Sequence, residues 1–209
     1  MKLKKGVLIV FDGIDGTGKT TQAKRLLATL QKKGADAVYF REPSDSRWGL
    51  AIKTKAVIAD SITPKEELDL FLKDRKENVE KNLKPALKEK KVIVLDRYYF
   101  STIAYQGARG LDPETIRLQN EAFAVKPDLV FILDISPKKG LNRIAISREK
   151  MDEHFEREDY LVKVREIFRS FEGESIHHID ASRPEEDVYK DIEKIVFDYL
   201  KSIELDSSF

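Results

Sequence analysis

Apolar residues fall along this chain in two kinds of stretch, short runs rich in β-branched residues and longer segments with helical spacing. Val7 to Phe11 reads as a buried strand, Val92 to Leu95 and Leu129 to Leu133 as further apolar strands, and Ala37 to Phe40 and Ile176 to Ile179 as the remaining two strands. The longer segments read as helices over Thr20 to Gln31, Trp48 to Ile58, Ser101 to Ala108, Asp112 to Ala124 and around Tyr160 to Phe171. Thr63-Pro64-Lys65-Glu66 is a capping box with proline at the first helical position. Its helix should run toward Lys84, where Pro85 kinks or interrupts it before Lys91. Ser136-Pro137 starts another helix, and Ser182-Arg183-Pro184-Glu185 repeats the capping-box signal before a C-terminal one. Strands alternating with helices at five positions imply an α/β fold, with a parallel sheet covered by helices on both faces. The 209 residues fit one domain spanning 1–209, with no internal repeat, low-complexity segment or linker to mark a second.

Between the first strand and the first helix, Gly13, Gly18, Lys19 and Thr20 fill the pattern GxxxxGKT. Strand, glycine loop and helix in that order make this a phosphate-binding loop rather than a plain glycine-rich turn. The glycines let backbone N–H groups turn inward around a polyphosphate at the positive end of a helix. Lys19 would reach the β- and γ-phosphates, and the Thr20 hydroxyl would sit on Mg²⁺. The candidates for nucleotide contact are therefore Gly13, Asp15, Gly16, Thr17, Gly18, Lys19, Thr20 and Thr21, with Arg143 and Arg183 as basic groups further along.

Composition narrows the partners. Lys and Arg (38) nearly cancel Asp and Glu (37), so the strong basic excess that favours nucleic acid or a membrane surface is missing. With no cysteine, disulfide and thiol chemistry are excluded. The three histidines offer no metal-ligand spacing. The N-terminal MKLKKGVLIVF looks like the start of a signal peptide, but its apolar run stops at Asp12. Export and membrane insertion are not expected, and a cytoplasmic location is.

Parallel sheets bind ligands at the carboxyl ends of their strands. There the chain delivers Asp12 and the glycine loop, Arg41-Glu42-Pro43, Asp96-Arg97-Tyr98, Asp134, and Asp180 followed by Arg183. Any one surface arginine is usually just solvated, but the position of Arg97 directly after a buried strand is fixed by the sheet. Asp96 fits the acidic residue that holds Mg²⁺ through water in loop-type nucleotide enzymes. It also reads as a strand-end aspartate capping the next turn.

The loop DGIDGTGKTTQ, then REP, then Phe71-x-x-x-Arg75, then DRYYFSTIAYQG (Asp96 to Gly107) resemble the thymidylate kinases, in order and over essentially the whole chain. The resemblance implies a five-stranded P-loop NTPase-type sheet with a helical lid near residues 143–157. It implies transfer of the γ-phosphoryl group of ATP to thymidine monophosphate (dTMP), in dTTP biosynthesis, by a homodimer with a mobile lid. Carried over residue by residue, Phe71 would stack on the thymine ring, Arg75 would donate to a base carbonyl, and Thr102 and Gln106 would read the remaining edge. Arg97 would hold the acceptor phosphate beside Ser101, Asp15 would contact the sugar 3′-hydroxyl, and Glu42 and Pro43, the latter often cis, would shape the pocket. On residues alone, Phe71 reads equally as helix core.

Three stretches depart from the family pattern. REPSDSRWG stands where REPGGT is common, Lys53 where a pocket arginine is usual, and Asp152-Glu153-His154-Phe155-Glu156 where the lid reads DRFE. Lys53 cannot make an arginine's bidentate contact. Gly16 stands where some members carry a loop arginine, so the catalytic cation beside Lys19 and Arg97 is expected from the lid, with Arg148 first, Arg143 second and Arg157 less favoured. These arginines also read as a solvated helix face. Two alternatives stay open at this point, a kinase for another nucleoside monophosphate and a nucleotide-dependent switch.

Overall fold

The computed structural model describes residues 1–55, 62–145 and 154–204. A five-stranded sheet with order β2-β3-β1-β4-β5 runs through its centre. The strands are β1 (Val7–Asp12), β2 (Ala37–Arg41), β3 (Val92–Asp96), β4 (Leu129–Asp134) and β5 (Ile176–Asp180), all paired parallel. The apolar runs become strands because both faces of the sheet are covered. Leu8 and Val10 of β1 enter one core, and Val7, Ile9 and Phe11 enter the other.

On one face lie α1 (Lys19–Lys32) and α9 (Glu185–Ser202), through Leu26, Leu30, Ile192 and Val196. The other face carries α3 (Pro64–Asn78), α5 (Tyr99–Ala108), α6 (Pro113–Glu121) and α8 (His154–Arg169), through Leu68, Ile103, Ile116 and Val164. The shorter α2 (Arg47–Lys55), α4 (Lys84–Lys88) and α7 (Pro137–Ala145) complete the described helices. Among the described residues, no helix is long and apolar enough to cross a membrane.

β1 pairs with β3 on one side and β4 on the other, so the strand order reverses at its carboxyl end. That is the crevice where such sheets bind ligands, and the glycine loop follows β1 directly into it.

Several boundaries differ from expectation. The helix after Thr63 has its capping box formed as predicted, but the break comes before Pro85 rather than at it. Val79–Leu83 forms a π-helical turn, and α4 restarts at Lys84. A proline has no N–H to give and its ring crowds the carbonyl four residues back, and the wider turn absorbs both defects. At the C-terminal helix, Pro184 is the N-cap and no side-chain cap forms, so Ser182-Arg183-Pro184-Glu185 is not a capping box. The helix begins at Glu185 itself, placing Glu185, Glu186 and Asp187 in its first turn, where the macrodipole favours them. The helix expected around Tyr160 starts earlier, at His154. The expected helix from Trp48 to Ile58 is seen as α2, and its last three residues lie outside the described residues.

Candidate active site

The loop between β1 and α1 turns on glycines with positive φ at Gly13, Gly16 and Gly18. A Cβ at Gly13 would lie 2.4 Å from the Leu133 carbonyl oxygen, while one at Gly18 would meet nothing within 4 Å. Gly18 is thus open toward the space a phosphate would fill. The buried Lys19 folds back over the loop, its Nζ donating to the Ile14 carbonyl at 2.7 Å. Burial, with the Arg97 charge beside it, pushes the Lys19 amine down to about 7, against the pull of Asp15, Asp12 and Asp96.

Thr20 at the start of α1 meets Asp96 at the end of β3, its hydroxyl donating to Oδ2 at 2.5 Å. Tyr39 of β2 donates to the same oxygen at 3.0 Å. Two hard oxygens beside a phosphate loop fit Mg²⁺, which takes one or two protein ligands and completes its shell with water and substrate phosphates. Among the described residues, no group of three or more His, Cys, Asp or Glu side chains is arranged for a metal.

Arg97 follows β3 in the left-handed region, φ 70°, a strained conformation for a non-glycine residue. Hydrogen bonds hold it there. Arg97 N–H donates to the Phe11 carbonyl at 2.9 Å, and the buried Asp12 carboxylate accepts from Tyr98 N–H, Ser101 N–H and the Ser101 hydroxyl. The turn aims the guanidinium at the glycine loop, where it pairs with Asp15 and donates to Ser101 Oγ at 3.1 Å.

Beyond that pair opens a cavity of about 360 Å³. Its walls include Phe71 and Arg75 from α3 and Thr102, Tyr105 and Gln106 from α5, with Glu42, Pro43 and Lys53 at one edge. Arg75 is 1 % exposed and is tied from three directions. Its Nε donates to Glu42 at 2.8 Å and its Nη2 to Thr102 Oγ1 at 3.0 Å, while Nη1 donates to Asn120. Burial pushes the Glu42 carboxyl up, while Arg75 and the Asn78 amide, 3.0 Å away, pull it back. The Glu42–Pro43 peptide is cis. Lys53 lines the cavity, but its amine is engaged by the Ser44 carbonyl at 3.0 Å and Asp45 at 2.8 Å.

A second cavity, about 310 Å³, lies on the other side of the loop, with Gly16, Thr17, Gly18, Thr21, Arg143 and Arg183 in its walls. Arg143 donates to the Ala181 carbonyl at 3.1 Å and the Gly16 carbonyl at 3.4 Å, and Arg183 pairs with Asp191 at 2.5 Å. The consecutive residues Asp15 and Gly16 therefore face different cavities, and the loop is the partition between them.

Not every predicted residue reaches these cavities. Asp134 is held by Arg165 at 2.5 and 2.9 Å, and Asp180 accepts from Ser182 N–H; neither strand-end carboxylate is in the walls of these two cavities. Arg148, Asp152 and Glu153 lie outside the described residues, and so do the side chains of His154 to Arg157. Sequence reasoning placed Asp12 at the strand end without a role, and missed Tyr39, Glu67 and Asp74. Glu67 carried a signal, since Glu67, Phe71 and Arg75 are spaced by four and share one helix face. Asp74 carried none. It accepts from Ser44 N–H at 2.8 Å and from the Ser44 and Ser46 hydroxyls, anchoring the loop in which SDSRWG replaces the usual glycines.

Comparison with known proteins gives the family of the chain. The thymidylate kinase family model matches residues 11–192. A probable thymidylate kinase of Archaeoglobus fulgidus is 43 % identical over 194 residues, covering 93 % of this chain and 96 % of that protein. Thymidylate kinases of Brachyspira hyodysenteriae and Desulfotalea psychrophila are each 42 % identical, covering 90 % and 92 % of this chain and 92 % and 95 % of their own. The chain belongs to the thymidylate kinase family.

Proposed function

We propose that this protein transfers the γ-phosphoryl group of ATP to dTMP, giving dTDP and ADP. One observation carries the reading. Phe71, Arg75, Thr102 and Gln106 line a single cavity that ends at the Asp15–Arg97 pair on the edge of the phosphate loop. A nucleotide switch needs the loop but has no use for a flat-base pocket beside it.

In this reading Phe71 stacks on the thymine ring, and Arg75, Thr102 and Gln106 meet its polar edge. Asp15 takes the sugar 3′-hydroxyl, and Arg97, steadied by Ser101, holds the dTMP phosphate. ATP enters from the opposite side, its phosphates in the loop from Gly13 to Thr21 and its remainder toward Arg143 and Arg183. Thr20 and Asp96 would hold Mg²⁺, which when bound neutralises charge on the β- and γ-phosphates. A phosphate oxygen of dTMP attacks the γ-phosphorus, the bond to the bridging oxygen breaks, and ADP leaves. The nucleophile is already anionic, so no general base or covalent enzyme intermediate is required. Catalysis is then alignment across the loop plus the positive charge of Lys19 and Arg97. Arg148, which lies outside the described residues, is assigned from sequence as a further cation for the transferred group.

Homodimer formation and a cytoplasmic location belong to the same reading and rest on the family alone. ADP formation measured against a panel of nucleoside monophosphates tests the function. dTMP should give the highest kcat/KM, and preference for a purine nucleotide would overturn the assignment.

A further inference from the structure

Glu67 on α3 faces the end of α5. Its Oε2 accepts from Gln106 Nε2 and from an Arg109 guanidinium nitrogen. A carboxylate only accepts, so the Gln106 amide must turn its NH₂ toward Glu67. The amide oxygen, Oε1, is then turned the other way. It is buried with no hydrogen-bond partner, on a residue that is 2 % exposed and forms part of the acceptor cavity wall. A buried carbonyl left in that state is costly, and a donor from a ligand would satisfy it.

The geometry points to Glu67 as a specificity-determining residue. By fixing the Gln106 amide so that its unpartnered oxygen, and not its NH₂, is the group left for a base, Glu67 makes the site select a pyrimidine that offers N3–H and reject one that offers a bare N3. The inference rests on the reading of this cavity as the base pocket. Thymine and uracil carry N3–H between two carbonyls. Cytosine carries an unprotonated N3 beside an amino group, so its N3 lone pair would oppose the Gln106 oxygen. A free glutamine could rotate its amide and offer NH₂ to cytosine instead. Here that rotation would set the amide oxygen against the Glu67 carboxylate, so it is blocked. Thr102, one turn earlier on α5 and also in the cavity wall, accepts from Arg75 Nη2 and so keeps its own O–H to donate beside the Gln106 acceptor. Donor next to acceptor is the complement of the carbonyl and N3–H of thymine. Arg109 steadies Glu67 through an ion pair that is itself only partly exposed.

The test compares kcat/KM for dTMP, dUMP and dCMP in the parent and in Glu67→Gln. A glutamine at 67 can donate or accept, which frees Gln106 to turn. The preference for dTMP over dCMP should fall by about tenfold or more, because a buried donor–acceptor mismatch is no longer enforced. The preference for dTMP over dUMP should stay within about twofold, since both bases carry N3–H and the missing methyl does not touch this contact. Gln106→Met should lower the dCMP discrimination too, and adding Glu67→Gln to it should change nothing further if Glu67 acts through Gln106. A merely structural role would move both ratios together. That outcome overturns the inference, and so does an unchanged dTMP to dCMP ratio or a parent that uses dCMP as well as dTMP. If Glu67→Gln fails to bind ATP, Glu67→Asp, which withdraws the carboxylate by one methylene, carries the same comparison. A parent that phosphorylates no pyrimidine nucleotide would instead refute the proposed function and leave a different signature.

Discussion

Gly16 and Gly140 meet backbone to backbone, locking the phosphate loop against α7. A Cβ on Gly16 would lie 2.3 Å from the Gly140 carbonyl oxygen, and one on Gly140 would lie 2.6 Å from the Asp15 carbonyl oxygen. The contact gives a spatial reason for the lack of an arginine at position 16, where any side chain would collide with the helix. Gly140→Ala should push the loop and α7 apart, an overpacking cost of about 1–3 kcal/mol. We expect KM for ATP to rise and kcat/KM to fall by about tenfold, the lower part of that range. Steady-state kinetics with varied ATP reads the effect, and an unaltered KM would show that the contact does not hold the loop.

Nucleotide binding should take up a proton. The Lys19 amine is pushed down to about 7 in the free protein by burial and by Arg97, and phosphates arriving beside it favour the charged form. At about pH 8 the free amine is mostly neutral and the bound one protonated, so uptake approaches about one proton and fades as pH drops below about 6. The same sign applies to folding without ligand. The unfolded chain holds this proton up to the ordinary lysine value of 10.5, so Lys19's contribution makes stability rise as pH increases from about 7 toward 10. Calorimetric titrations in buffers of different ionisation enthalpy measure the uptake. Lys19→Met should abolish it along with turnover, and equal uptake in parent and variant would assign the proton elsewhere.

Removing Arg75 should separate the two substrates. Arg75→Ala strands Glu42, a carboxylate only 2 % exposed, and loss of one partner of such a buried pair costs about 3–5 kcal/mol of stability. The folded enzyme should bind dTMP more weakly and ATP nearly as before, because Arg75 lines only the acceptor cavity. Adding Glu42→Gln should recover part of the stability and none of the dTMP affinity. Chemical denaturation and separate ligand titrations check both statements, and equal losses for ATP and dTMP would contradict them.

Asp96→Asn should raise the Mg²⁺ concentration needed for half-maximal turnover by about tenfold, with a smaller shift for Tyr39→Phe. Tyr39 touches the proposed site only through its hydrogen bond to Asp96. A Mg²⁺ titration of activity decides the matter, since unchanged dependence in Asp96→Asn would leave that carboxylate a purely structural role.

Much of this was legible in the chain, and the exceptions have physical causes. The central strands could be read because both of their faces are buried, which leaves Val7 to Phe11 or Val92 to Leu95 no polar position to blur the run. The glycine loop could be read because its function dictates its residues. Ser182 to Glu185 misled because a capping box is defined by pattern, whereas Pro184, which has no hydroxyl to cap with, takes the N-cap position and the helix starts at Glu185. Arg97 could be placed at a strand end, but its φ of 70° and its anchoring by Asp12 depend on contacts between residues far apart in sequence. Asp134 reads like the other strand-end acids, and only the approach of Arg165 from α8 decides its partner. Glu67 lay on the correct helix face, yet nothing local tells a carboxylate that orders a glutamine from one that is solvated.

The central claim is that the two cavities on either side of Asp15 and Gly16 hold phosphoryl donor and acceptor at once. It is tested most directly by following the label from γ-³²P ATP in the presence of dTMP and Mg²⁺. The account predicts that the label appears in dTDP, in step with ADP formation, and that Lys19→Met abolishes the transfer. Label released as orthophosphate at the same rate with or without dTMP would contradict it, leaving a nucleotide hydrolase whose second cavity takes no part in the chemistry.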